Sequence, residues 1–271
     1  MNTELATQRQ DIIDFDKDSS KVQIEYFHPA YYAAPKEDTI QNFKKNLKTQ
    51  PLDWHYRTNS LRYTLNGQSY RCKPFNEINW NDSIVIFGCS NVFGNAIDDA
   101  DTLSNRLQEL VGCDVVNLGA SGSCQQTSLY NMTRLKEKNI KPRAIIHVWT
   151  DSMRLLHVNN DFRLCGVGHW NNWGLAPNIQ FDLFTDSKTH VVSSMYHRMI
   201  ANFIYSDIPV IHATTFPQMW HEQNTKYPDF PMLHMALGID KARDLSHPGI
   251  KTNMHHAKLL HEELIKFDFK K

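Results

Sequence analysis

Apolar residues fall in short runs set apart by polar stretches. Four of these runs, residues 84–87 (IVIF), 115–118 (VVNL), 144–149 (AIIHVW) and 208–212 (IPVIH), favour β-branched residues and read as buried strands. Helical periodicity fills the gaps between the first three, at 102–111 and 125–138, and a last helix is expected over 250–267. Strands that alternate with helices predict a parallel sheet covered on both faces, with ligands collecting at the carboxyl ends of the strands. Residues 1–79 show no sustained period. A short helix fits 38–47, and RYTLNGQSYRC places an Asn66-Gly67 turn between two alternating arms, the mark of a hairpin. The chain therefore divides near Asn81 into a lead-in, residues 1–80, expected to pack on a main α/β domain, residues 81–271.

Charge and cysteine content narrow the class. In this 271-residue chain, Lys and Arg (29) balance Asp and Glu (29), so no field of one sign invites nucleic acid or an anionic membrane. The first twenty residues are polar and no run approaches the roughly 18 apolar residues of a membrane span, which predicts a cytoplasmic location. Five cysteines without CxxC spacing point to free thiols. His255, His256 and His261 do not share one helical face, so surface histidines and no metal or other cofactor are expected.

Candidate chemistry gathers where strands end. The first strand breaks into Gly88-Cys89-Ser90, and a turn residue is the plain reading of that serine. The second strand leads into NLGASGSC, where Gly119 and Gly122 allow tight turns and leave backbone N–H groups pointing into a crevice; Gly122 could also be a simple helix-start glycine. The third leads into WTDS, in which Asp151 either lines the site or caps a helix after the strand. Just ahead of the last helix stands DLSHPG, with Asp244 three residues before His247. Asp244 could cap its own loop, but that spacing lets the carboxylate hold an imidazole that takes a proton from a serine.

These blocks, in this order, resemble the SGNH/GDSL hydrolase superfamily, over roughly residues 58–264. Gly88, Ser90 and Gly94 match the first block, with Cys89 where the family usually has aspartate; Gly122 matches the second and Asp244-x-x-His247 the last. The lead-in YRTNSLRYTLNGQSYRC is similar to that of a subgroup associated with polysaccharide modification. The resemblance implies a flavodoxin-like doubly wound parallel sheet and a serine esterase with no cofactor. Its triad would be Ser90, Asp244 and His247, and its oxyanion donors the backbone N–H groups of Ser90 and Gly122 together with the position of Asp151. Cys89, beside the nucleophile on a strand exit, is expected to point to the opposite side as a buried filler.

The third block departs from the family. Gly-x-Asn-Asp is replaced by Trp149-Thr150-Asp151-Ser152, and an ionised carboxylate in place of the asparagine amide would repel an oxyanion. Asp151 is therefore protonated or turned away, or Thr150 or Ser152 donates instead, or activity is impaired. Between the third and fourth strands, Trp170, Asn171 and Trp173 lie in a long aromatic and amide-rich stretch that suits the apolar face and hydroxyls of a sugar, or forms a small satellite core. The expected substrate is a small acyl ester, such as an O-acetyl group on a carbohydrate. The alternatives are acyl transfer to a sugar hydroxyl and an impaired binding protein with the same fold.

Overall fold

The computed structural model describes residues 38–152, 154–158, 164–167, 187–216, 221, 224, 231–236 and 238–267, together with 22–26; for 22–26, 155–158, 164–167 and 187–192 the description is of backbone alone. The strands are β1 (Val22–Tyr26), β2 (Leu61–Leu65), β3 (Ser83–Phe87), β4 (Asp114–Asn117), β5 (Ala144–Trp149), β6 (Leu155–Val158), β7 (Leu164–Val167), β8 (Val210–Thr214) and β9 (Leu233–His234). The helices are α1 (Ile40–Thr49), α2 (Ser90–Phe93), α3 (Leu103–Val111), α4 (Gln125–Glu137), α5 (Ser187–Ile204) and α6 (Ile250–Ile265).

A five-stranded sheet of order β4-β3-β5-β8-β9 forms the centre, and every neighbouring pair in it is parallel. This is the flavodoxin-like 2-1-3-4-5 order, whose topological switch point lies between its first and third strands. Those strands, β3 and β5, are buried along their length and, apart from Ser83 and His147, apolar, because both faces are covered. Val85, Phe87, Ile145 and Trp149 pack against Leu129, Met132 and Leu135 of α4 and Ala201 of α5. Ile84, Ile86, Ile146 and Val148 face Leu103 and Leu107 of α3 and Leu260 and Leu264 of α6. No helix among the described residues is long and apolar enough to cross a membrane.

Helix ends follow the local chemistry. Thr39 caps α1 through the Asn42 N–H, Thr102 caps α3 through the Asn105 N–H, and Gly112 closes α3 at φ +71°. Two expectations need correction, and one helix has no counterpart among them. The chain does turn after Asn66, whose side-chain carbonyl accepts from the N–H groups of Gln68 and Tyr70, but the arm beyond it forms no strand and β2 pairs instead with β1, antiparallel. The sequence pattern does not announce helix α5, because its inward face mixes Ser194 and Arg198 with Ala201, while Tyr196, Met199, Ile200 and Phe203 are exposed. His256 is no surface histidine; it is buried, with its Nε2 2.8 Å from the Ala236 carbonyl oxygen.

The segment ahead of the sheet packs on the helix that begins with Ser90. Phe43 of α1, Tyr56, and Leu61, Tyr63 and Leu65 of β2 form one buried cluster with Phe93 of α2.

Candidate active site

Strand β3 is buried along its whole length and ends at the switch point, so the residues directly beyond it lie at the carboxyl edge of the sheet. Gly88 and Cys89 lead into α2, which begins with Ser90 and closes at Gly94. Ser90 is buried, and its Oγ lies 3.9 Å from the Sγ of Cys89. The far end of α2 is held from the lead-in. Arg71, stacked on the Tyr63 ring, donates to the carbonyls of Phe93 and Gly94 and pairs through Nε with Asp99 at 2.7 Å.

The turn after β4 is fitted against α2. Asn117, a buried amide at the end of an apolar strand, donates to the Val92 carbonyl (2.8 Å) and accepts from the Gly119 N–H (2.9 Å). A Cβ on Gly119 would lie 2.6 Å from the Phe93 nitrogen, so no other residue allows this approach. The Ala120 N–H and the Ser123 hydroxyl both donate to the Gly88 carbonyl, which ties this turn to the exit of β3. Gly122 takes φ +72°, the left-handed conformation that glycine tolerates best. Among the described residues, neither the Ser90 N–H nor the Gly122 N–H has a hydrogen-bond partner.

The turn after β5 carries Thr150, Asp151 and Ser152. Asp151 is half-buried, and its backbone carbonyl accepts from the Arg154 N–H at 3.2 Å. The Thr150 carbonyl accepts from Gln125 Nε2 at 2.8 Å. A carbonyl can only accept, so the Gln125 amide is oriented, and its Oε1 takes hydrogen bonds from Ser194 Oγ and His197 Nδ1, both at 2.9 Å. Gln125, the first residue of α4, thereby clamps the third turn to α5.

Cys89 departs from its expected orientation. It is buried, as a filler would be, but its thiol faces the third turn and the Ser90 hydroxyl. Burial opposes ionisation of the thiol; the Arg154 guanidinium, the Ser90 hydroxyl and the Asn91 N–H outweigh it and hold the pKa below the usual thiol range.

The turn ahead of α6 holds the Asp244 and His247 pair. Asp244 Oδ2 lies 2.5 Å from His247 Nδ1, and Oδ1 accepts from the N–H groups of Ser246 and His247. A carboxylate only accepts, so His247 carries its proton on Nδ1 and leaves Nε2 for another partner. Burial raises the Asp244 carboxyl, but the imidazole and the two backbone donors outweigh it and keep its pKa below the usual carboxylate range. Leu245, between them, adopts φ +61°, an uncommon conformation for a branched residue. The Arg243 N–H donates to the Ala96 carbonyl at 3.1 Å, which fastens this turn to the chain just beyond α2.

Ser90, Gly122, Asp151, Asp244 and His247 thus all lie just past strand ends or just ahead of α6, as the sequence blocks place them. Trp170, Asn171 and Trp173 lie outside the described residues. Sequence reasoning missed Gln125, Arg154 and Asn117; the only signal for Gln125 was its place immediately behind the Gly122 turn. Among the described residues no group of His, Cys, Asp and Glu is arranged to hold a metal ion.

No protein-family model matches the chain, and no curated protein does. Solved structures similar to it include an acetyl xylan esterase from Butyrivibrio proteoclasticus, at 11% identity and a TM-score of 0.42, over 69% of this chain and 65% of that one. A family two carbohydrate esterase from Clostridium thermocellum, solved with cellohexaose, is similar at 12% identity and a TM-score of 0.44, over 69% and 65%. A member of the lipolytic G-D-S-L family from Veillonella parvula is similar at 13% identity and a TM-score of 0.45, over 68% and 98%. The match spans just under two thirds of the length of the first two.

Proposed function

We propose that the protein is a serine ester hydrolase of the SGNH type, acting on a small acyl ester, with an O-acetylated carbohydrate as the substrate class. One observation carries the reading: the Asp244–His247 hydrogen bond of 2.5 Å sits on a turn whose Arg243 N–H is bonded to Ala96, six residues past Ser90. In the proposed reaction, Ser90 Oγ attacks the ester carbonyl carbon while His247 Nε2 takes the hydroxyl proton. Asp244 holds the imidazole and stabilises the imidazolium. The oxyanion is received by the Ser90 and Gly122 N–H groups, both without a partner among the described residues. Collapse breaks the bond to the alcohol, which leaves with the proton from His247. Water then attacks the acyl-serine by the same steps, releasing the acid and restoring the serine.

A third donor, in the place of the family's oxyanion asparagine, would come from the Thr150-Asp151-Ser152 turn. The carbohydrate part of the proposal rests on the residue types of Trp170, Asn171 and Trp173. A sugar hydroxyl in place of water would make the same residues an acyltransferase. The test is acetate release from acetylated xylo-oligosaccharides and from p-nitrophenyl acetate by wild type, Ser90→Ala and His247→Ala. Turnover lost by several orders of magnitude in both folded variants supports the triad. Retained turnover in either removes it, and a folded wild type that releases no acetate from any ester leaves the binding-protein reading.

A further inference from the structure

Helix α1, with Asp38 just ahead of it, and the Asp244 turn are about two hundred residues apart in sequence, yet Arg243 joins them at three points. Its Nε and Nη2 donate to the two carboxylate oxygens of Asp38, at 3.1 and 2.8 Å. Its carbonyl accepts from Asn46 Nδ2 at 3.0 Å, and its guanidinium lies 5.5 Å from the centre of the Phe43 ring. Its own N–H reaches Ala96, so one residue links α1, the chain after α2, and Asp244, its immediate successor.

Both members of the ion pair are out of contact with water, Arg243 at 0% and Asp38 at 3% exposure. A pair buried to this degree seldom adds stability over two well-packed apolar residues, because the desolvation of both charges offsets their attraction. Its two-pronged geometry does fix the position of the backbone it holds. Here that is the residue preceding a carboxylate whose 2.5 Å contact with an imidazole depends on a turn with a left-handed leucine.

We propose that Asp38 is a positioning residue for the Asp244–His247 pair, acting through Arg243, so that α1 is a working part of the acid–base centre and not only a cover over it. The proposal rests on the esterase reading for the role of that pair. Removing Asp38 leaves the guanidinium without its carboxylate and frees the turn to shift, and a misplacement of about 1 Å at a reacting group can cost about a hundredfold in rate.

The test compares wild type with Asp38→Asn by two readouts. The first is the low-field proton resonance of His247 Nδ1–H, assigned by its loss in His247→Gln. The second is kcat and KM for p-nitrophenyl acetate. The expected result is a folded variant in which the resonance is shifted or lost, kcat falls about tenfold or more, and KM changes by less than about twofold. A folded variant with a lowered melting temperature but an unchanged resonance and kcat makes the ion pair purely structural and overturns the proposal. Should Asp38→Asn fail to fold, Asn46→Ala, which strands no charge, decides by the same resonance: a shift supports the proposal and no change overturns it. A wild type without esterase activity would sink the esterase reading, while the resonance would still report whether Asp38 positions the pair.

Discussion

His212 offers a pH dependence that the structure fixes in sign and size. Its ring sits on β8 behind the Trp149 indole. The indole N–H can only donate, so His212 Nδ1 accepts it at 3.0 Å, and Nε2–H donates to Asn202 Oδ1, also at 3.0 Å. Protonating Nδ1 would set two donors against each other in a buried place. Burial, with the positive charge of Arg198, accordingly lowers the His212 pKa from 6.5 to about 3. In the unfolded chain the imidazole takes a proton as the pH falls through about 6.5, and in the folded protein it does not until about pH 3. The stability this neutral ring allows is therefore intact above pH 7 and lost as the pH falls through that window. At pH 5 the unfolded ring is almost fully protonated and the folded one almost fully neutral, which amounts to a loss of about 2 kcal/mol relative to pH 7. Urea unfolding at pH 7 and pH 5, for wild type and His212→Asn, isolates the effect, since the asparagine still offers the indole an acceptor but does not titrate. Wild type should lose about 2 kcal/mol more than the variant between the two pH values. Equal losses, within about 0.5 kcal/mol, would refute the reasoning. His147, His197 and His256, whose pKa values burial also lowers, should add to the acid sensitivity of both proteins alike.

Three further outcomes are expected at the site. Gly119→Ala forces a methyl against the α2 backbone and should cost roughly 1–3 kcal/mol by urea unfolding together with most of the ester turnover; wild-type stability would mean that α2 shifts freely. Asp151→Asn supplies a neutral amide where the family has one and should raise kcat for a short acyl ester about tenfold if that side chain faces the oxyanion. If Asp151 instead caps the chain behind β5, the asparagine should be neutral and Asp151→Ala should cost about 1 kcal/mol in thermal unfolding. Gln125→Ala releases the Thr150 carbonyl from α5 and should lower kcat more than it raises KM; a change in melting temperature alone would limit Gln125 to a structural role.

The sheet was legible because its central strands are buried on both faces and read as nearly continuous apolar runs, with His147 the one polar residue inside them. The helices α3, α4 and α6 were legible because each turns one apolar stripe inward. Helix α5 shows no apolar stripe in the sequence because its inward face mixes Ser194 and Arg198 with Ala201, while its outer face carries Tyr196, Ile200 and Phe203. The short α2 and β9 give too few residues for any period to register. The blocks around Ser90, Gly122 and Asp244 were readable because their chemistry is local, within a span of a few residues. The long-range polar wiring could not be read: Asp38 to Arg243, Gln125 to Ser194 and His197, and Arg154 towards Cys89 are partnerships that only the folded chain brings together. The orientation of Cys89 failed for the same reason. Strand alternation stops at β3, and the backbone beyond it turns the thiol toward the third turn.

The central claim, that Ser90 is a nucleophile made reactive by its surroundings, is tested most directly by intact-mass analysis after exposure to a fluorophosphonate ester. The account predicts a single covalent adduct on folded wild type, mapped to Ser90 by peptide sequencing and absent from Ser90→Ala. A folded wild type that takes no adduct, or an adduct that persists in Ser90→Ala on Cys89 or elsewhere, would contradict it.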